Sequence, residues 1–76
     1  MNWQDFIVSD SNVLLGKPTL KGTRISVKLV LELLESGWTE DMIKSSYPNI
    51  TDDSLRAVFA YLKNCVQQEL FFPISA

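Results

Sequence analysis

The side chains with the clearest capacity for chemistry are basic and polar residues in two clusters. Four of the seven Lys and Arg residues fall in a stretch that has no acidic residue between Asp10 and Glu32: Lys17, Lys21, Arg24 and Lys28. Four further polar side chains recur at helical spacing near the end of the chain: Arg56, Lys63, Asn64 and Gln67. Groups of these types bind phosphates, and the side chains with paired donors and acceptors also bind base edges. The sequence therefore predicts two candidate binding surfaces, for nucleic acid or for an acidic partner.

Both surfaces also have a purely structural interpretation. The polar positions from 56 to 67 are compatible with an ordinary solvated helix face, and Asp52 and Asp53 just before them oppose phosphate. In the basic stretch, the glycines and the proline satisfy turn geometry, and Arg24 caps a backbone or pairs with a nearby carboxylate. The G-x-x-x-x-G-K-[ST] spacing of a phosphate-binding loop is absent. The sequence leaves both interpretations open.

Catalysis and metal binding are not expected. The chain has no His and a single Cys, Cys65, which leaves no intrachain disulfide, no soft-ligand metal site and no His general base. Carboxylate pairs such as Glu32 with Glu35 are ordinary on exposed helix faces and indicate no pocket. We therefore predict that the chain is not an enzyme and holds no metal and no cofactor.

Length and composition indicate one domain over residues 1–76, with 46% apolar and 21% charged residues. A core of this size supplies little net stability, so a homodimer is expected. The net charge of −2 counts against nucleic-acid binding by the whole surface, which confines any such contact to the basic stretch or the polar helix face. Because no signal peptide or membrane-spanning run is present, the predicted location is the cytoplasm, without membrane contact.

The strongest structural signal covers residues 37–62, where the same helix-start pattern occurs twice. An apolar residue precedes a Thr cap, acidic residues follow in the first turn, and an apolar residue occupies the fourth helical position. The two series are Trp38, Thr39, Glu40 with Asp41, and Ile43, then Ile50, Thr51, Asp52 with Asp53, and Leu55. They predict a rigid helix-turn-helix with a turn over residues 47–50.

Three helices are predicted in all. The first runs from Val27 to Ser36 between a Ser26 cap and Gly37, with a core stripe of Val27, Val30, Leu31 and Leu34. Leu29 and Leu33 widen that stripe and are candidate contacts for a partner or a second subunit. The second runs from Glu40 to Ser46, with Met42, Ile43 and Tyr47 inward. The third runs from after Thr51 to near Gln68, and its predicted apolar face comprises Leu55, Val58, Phe59, Leu62 and Val66.

The ends of the chain differ from this helical core. Residues 1–25 are predicted as short strands or an extended arm joined by turns, with Gly16 and Gly22 at positive φ. Residues 69–76 are nearly all apolar and include Pro73, so they should pack on their own domain, on a twin subunit or on another protein. Their candidate contacts are Phe71, Phe72 and Ile74. The predicted fold class is mostly α, a three-helical homeodomain-like helix-turn-helix (residues 26–68) with an N-terminal arm of short β-strands.

Several short motifs from Phe6 to about Tyr61 resemble one family. They are Gly16-Lys17-Pro18, Gly22-Thr23-Arg24-Ile25-Ser26-Val27, Gly37-Trp38-Thr39-Glu40, Tyr47-Pro48 with Ile50-Thr51, and Ala60-Tyr61. At this spacing they resemble the bacterial and archaeal family called domain of unknown function 433. Ser11 departs from it, since the family usually has proline there.

The resemblance implies a three-helical, homeodomain-like or winged fold, often encoded beside a small PIN-like ribonuclease. The family is itself regarded as similar to VapB-type antitoxins, which bind and silence a toxin and repress their own operon. We therefore predict an antitoxin-like protein that inhibits a PIN-like ribonuclease and binds operator DNA. A stand-alone DNA-binding transcriptional regulator and a purely structural protein-interaction domain are the alternatives.

Overall fold

Three helices and a two-stranded antiparallel sheet form residues 1–68, the part of the chain that the structure, a computed structural model, describes. The helices are α1 (Val27–Glu35), α2 (Glu40–Ser46) and α3 (Asp52–Gln67), and the strands are β1 (Ile7–Val8) and β2 (Thr19–Leu20). Two 3₁₀ turns, Trp3–Asp5 and Leu14–Gly16, precede β1 and β2 respectively. The predicted class, mostly helical with three helices and short N-terminal strands, is confirmed. The predicted contacts of Phe71, Phe72 and Ile74 lie outside the described residues.

The helices begin where hydroxyl side chains satisfy the free N–H groups of the first turn. Each predicted cap accepts a hydrogen bond of 3.0–3.1 Å from the backbone N–H three residues later: Ser26, Thr39 and Thr51. Gly37, with φ of +95°, follows α1 and lets the chain reverse direction there. The predicted bounds of α1 and α2 are therefore confirmed to within a residue. No helix among residues 1–68 is long and apolar enough to cross a bilayer.

The arm is a narrow hairpin tied to the start of α1. Ile7 pairs with Leu20 and Val8 with Thr19, and the Val27 N–H donates to the Pro18 carbonyl at 2.9 Å. These bonds fix the direction in which α1 leaves the sheet. The short arm is consequently part of the folded domain rather than a free extension.

The loop between the strands contains two leucines in the left-handed region. Residues 1–25 were predicted as short strands or an extended arm joined by turns, and within them Leu14 and Leu15, with φ of +49° and +57°, form a 3₁₀ turn. An Asx turn precedes it, in which the Asp10 carboxylate accepts the Asn12 N–H at 2.9 Å. Gly16, at φ of +82°, then completes the turn.

Leu15→Asn should stabilise the domain. Leu15 is 92% exposed, so its replacement loses almost no apolar burial. Asn tolerates the left-handed region better than Leu, and relief of that strain should raise the free energy of unfolding by about 0.5–1 kcal/mol. Urea unfolding followed by tryptophan fluorescence measures the change. A lower stability than wild type would contradict the left-handed geometry, and Leu14→Asn, at 38% exposure, should gain less.

The core lies between the sheet and one side of each helix. Its fully buried large residues come from β2 and all three helices: Leu20, Val30, Ile43, Leu55 and Val58. Ile50 is 3% exposed, so both residues of the second predicted staple, Ile50 and Leu55, are in the core. Trp38 packs on the core from a half-buried position.

The inward faces of α2 and α3 differ in part from the predicted ones. Met42, Phe59 and Val66 were assigned to the interior, but they are 47%, 48% and 62% exposed. Ala57, which was not assigned to the interior, is fully buried in α3, and Cys65 is buried as well. The apolar pattern of α3 is wide enough to allow several rotations about its axis, so periodicity alone did not select the observed one.

A contact between the first 3₁₀ turn and α3 accompanies that rotation. Trp3, in the first 3₁₀ turn, packs against Tyr61 of α3 with ring centroids 5.0 Å apart and planes inclined by 65°. This edge-to-face geometry is favourable for aromatic pairs. Since it holds Tyr61 toward the sheet, the opposite side of α3 faces outward.

Candidate functional site

The outer face of α3 carries most of the polar residues predicted to bind. Arg56, Lys63 and Gln67 are exposed and lie on one side of the helix, because they are separated by seven and four residues. Phe59 and Val66 lie beside them, and we call these five residues the outer face of α3. Asn64 is set apart: it is half-buried, and its side-chain carbonyl accepts a hydrogen bond from the Gln68 amide at 3.1 Å.

Neighbouring cations partly neutralise the negative charge of the two aspartates at the start of α3. The Lys44 ammonium of α2 is 2.6 Å from the Asp52 carboxylate, while Arg56 is 3.9 Å from Asp53. The hydrogen bond from Lys44 lowers the pKa of Asp52, and the same bond raises the pKa of Lys44. This pair ties α2 to α3 and reduces the negative charge that would repel phosphate.

Asp52→Asn should make stability less sensitive to acid. Because the pKa of Asp52 is lower folded than unfolded, its contribution is present above the unfolded-state pKa and is lost as the pH falls through the folded-state value. Wild type should therefore lose more stability than the variant between about pH 6 and about pH 2.5. Urea unfolding at both pH values tests this. Asp53→Asn is the matched control, because the carboxylate of Asp53 lies farther from its nearest cation. An equal change in acid sensitivity for the two variants would contradict the role of the Lys44–Asp52 pair.

The four basic residues of the arm and the start of α1 border different surface features. Lys17 and Lys28 lie at the border of a groove of 470 Å³, whereas Arg24 borders a separate depression of 600 Å³ that also includes Asp10. Lys21 is exposed just after β2. Within residues 1–68 no ion pair involves Arg24, so pairing with a carboxylate there does not account for this residue. Lys17 and Lys28 consequently border a different surface feature from Arg24.

The groove has an apolar floor between the arm, α1 and α3. Its walls include Pro18 from the arm, Val27 and Leu31 from α1, and Leu62 and Cys65 from α3. Burial raises the pKa of the Tyr61 phenol, which also borders the groove, and an interaction with the Cys65 thiol raises it further. We call this feature the apolar groove.

Tyr61 and Cys65 of the apolar groove lie on the side of α3 opposite the basic residues of the outer face. Tyr61 and Cys65 are one helical turn apart, and both are about half a turn away from the side that carries Arg56 and Lys63. Contact with the side of α3 that carries Arg56 and Lys63 therefore does not require contact with the apolar groove.

Sequence reasoning missed two parts of these surfaces. It placed Phe59 and Val66 in the core, and it did not foresee the apolar groove, which depends on segments far apart in the chain. The small side chain of Ala57 was the available signal for the true inward face, because small residues mark close helix packing. Leu29 and Leu33, the proposed partner contacts, are half-buried, and Leu33 packs against the core. No cluster of metal-binding side chains occurs within the described residues.

These features define a small, mostly helical domain with three helices and a two-stranded N-terminal sheet. The family described as "Protein of unknown function (DUF433)" matches residues 7–62, so the chain belongs to the DUF433 family. A crystal structure of a DUF433 member from Anabaena variabilis ATCC 29413 is similar, with a TM-score of 0.76 and 25% sequence identity. The similarity covers 86% of this chain and 64% of that chain, so the present sequence spans less than two thirds of its relative. No curated protein matches the chain.

Proposed function

We propose that the chain is a non-catalytic, antitoxin-like regulator that acts as a cytoplasmic homodimer. In this proposal the outer face of α3 binds operator DNA, and the exposed arm residues bind a PIN-like ribonuclease. The observation that carries the proposal is the outer face itself, which is left exposed by the packing of the domain. Membership of the DUF433 family supports the choice of partner only through the resemblance of that family to VapB-type antitoxins.

The outer face has the chemistry of a DNA-reading helix. Arg56 and Lys63 are suited to phosphates or guanine, Gln67 is suited to adenine, and Phe59 is suited to contact with a thymine methyl group. The exposure of Phe59, which would otherwise be an unexplained apolar residue at the surface, strengthens this interpretation. Two capped helices joined by a short turn would present α3 rigidly to a major groove.

The arm offers a second surface for the ribonuclease. Lys21 and Arg24 are both exposed near the loop that follows β2. A metal-dependent ribonuclease presents a cluster of carboxylates, which a guanidinium or ammonium group complements in charge. We propose that Arg24 or Lys21 enters this acidic site and inhibits it by charge and by steric cover. Leu29 and Leu33, at the half-buried side of α1, are the proposed contacts with the second subunit.

Salt-titrated binding to the DNA upstream of its own gene tests the DNA half of the proposal. Arg56→Ala and Lys63→Ala should each reduce the slope of log affinity against log salt by about one unit. Lys17→Ala is the matched control, because Lys17 borders the apolar groove on the other side of α3. Asp53→Asn should strengthen binding, since it removes a charge that competes with phosphate for Arg56. Unchanged slopes for both alanine variants would overturn the assignment to α3.

Co-purification with the product of an adjacent gene tests the antitoxin half. Capture of a PIN-like ribonuclease by the full chain, weakened by Arg24→Glu, is the expected result. If no ribonuclease is captured while DNA binding persists, the chain is a stand-alone regulator. If neither partner binds, the remaining function is that of a structural interaction domain.

A further inference from the structure

The proposed DNA contact through Arg56 and Lys63 does not use the apolar groove, because Tyr61 and Cys65 of the groove lie about half a turn of α3 away from them. Its floor is formed by side chains that water would solvate poorly, chiefly Val27, Leu31 and Leu62. Lys17 and Lys28 border it, and Lys28 is only loosely held by Glu32, at 3.7 Å between two exposed side chains. The groove is thus suited to an apolar peptide that also carries a negative charge.

The sequence supplies such a peptide directly after α3. The helix ends at Gln67, and its last two turns form one wall of the groove. Residues 69–76 lie outside the described part of the chain, and the sequence begins there with Glu69, Leu70, Phe71 and Phe72. Glu69 is the only acidic residue after Asp53, and it immediately precedes the apolar run. The segment therefore combines a negative charge with apolar side chains, and the groove combines positive charges with an apolar floor.

The segment is also long enough to reach the groove. Gln67 and Leu62 are about 7.5 Å apart along the helix axis, at 1.5 Å per residue. An extended chain advances about 3.3 Å per residue, so about three residues after a reverse turn return to the level of Leu62. Attachment to α3 gives the segment an effective concentration in the millimolar range, which favours it over the same segment of a second copy.

We propose that the apolar groove is the docking site for the chain's own residues 69–74. Phe71 and Phe72 pack on Leu31 and Leu62, and the Glu69 carboxylate lies near the ammonium group of Lys17 or Lys28. Docking extends the core between α1 and α3.

Nuclear Overhauser effects in the full chain give the direct test. Ring protons of Phe71 or Phe72 should show contacts with the methyl groups of Val27, Leu31 or Leu62. A sample that mixes isotope-labelled and unlabelled chains separates contacts within one chain from contacts between two. Contacts within the chain support the proposal. Contacts only between chains, or none with these methyl groups, overturn it.

Discussion

Leu55→Ala is expected to lower the free energy of unfolding by about 3 kcal/mol. Leu55 is 1% exposed and lies at the fourth position of α3, where it packs in the same core as Ile50. The substitution removes buried methyl groups and leaves a cavity that neighbouring residues fill only in part. Since a chain of 76 residues has a total stability of about 4–11 kcal/mol, a large share of it would be lost.

Urea unfolding followed by fluorescence of Trp3 and Trp38 measures this loss. Val66→Ala is the matched control on the same helix, and it should change stability by less than about 0.5 kcal/mol because its side chain is 62% exposed. Leu55→Met should cost less than about 1.5 kcal/mol, because it keeps most of the volume. Comparable losses for Leu55→Ala and Val66→Ala would contradict the observed rotation of α3.

The second large effect concerns the proposed DNA contact. Arg56→Glu combined with Lys63→Glu should weaken binding to operator DNA by about 100-fold near physiological salt, because two favourable phosphate contacts become repulsive. The folded domain should tolerate the change, since both side chains lie on the outer face of α3 and are exposed. Electrophoretic mobility shift or fluorescence anisotropy titration gives the affinity, and urea unfolding verifies the fold.

A reciprocal variant separates the two proposed surfaces. Lys21→Glu combined with Arg24→Glu should keep DNA affinity close to wild type while reducing capture of the ribonuclease. The two double variants should therefore affect different partners. Loss of DNA binding in the arm variant, with retention in the α3 variant, would show that the arm contacts DNA and would reverse our assignment.

The helix starts could be predicted from sequence because their physics is local. A hydroxyl at Ser26, Thr39 or Thr51 needs only a backbone N–H three residues later, and the glycine after α1 needs only a positive φ. The Ile50–Leu55 staple follows the same logic, and both residues are buried. Helix caps and helix starts, which depend on five or six residues that are neighbours in sequence, were therefore predictable together with the residues at which the helices begin.

Features that depend on distant segments were not predictable in this way. The inward side of α3 contacts Trp3, which lies nearly the whole described chain away from Tyr61. The apolar groove is formed by the arm, α1 and α3 together. Helical periodicity within one segment does not predict contacts between distant segments. The left-handed Leu14 and Leu15 oppose intrinsic backbone preference, so only the surrounding turn determines them. For the candidate site, Arg56 and Lys63 are exposed on one face of α3 as the helical spacing predicted, whereas the division of Lys17 and Lys28 from Arg24 emerged only from the fold.

The edge-to-face contact of Trp3 with Tyr61 has a consequence for biosynthesis. A ribosome adds about 5–20 residues per second, and α3 is the last of the three helices to be made. The hairpin and α1 join residues close in sequence and are able to form on the nascent polypeptide, but the indole ring of Trp3 stays solvated until α3 has left the exit tunnel. Emergence of α3 from the tunnel is thus the step at which the contact between Trp3 and Tyr61 becomes possible.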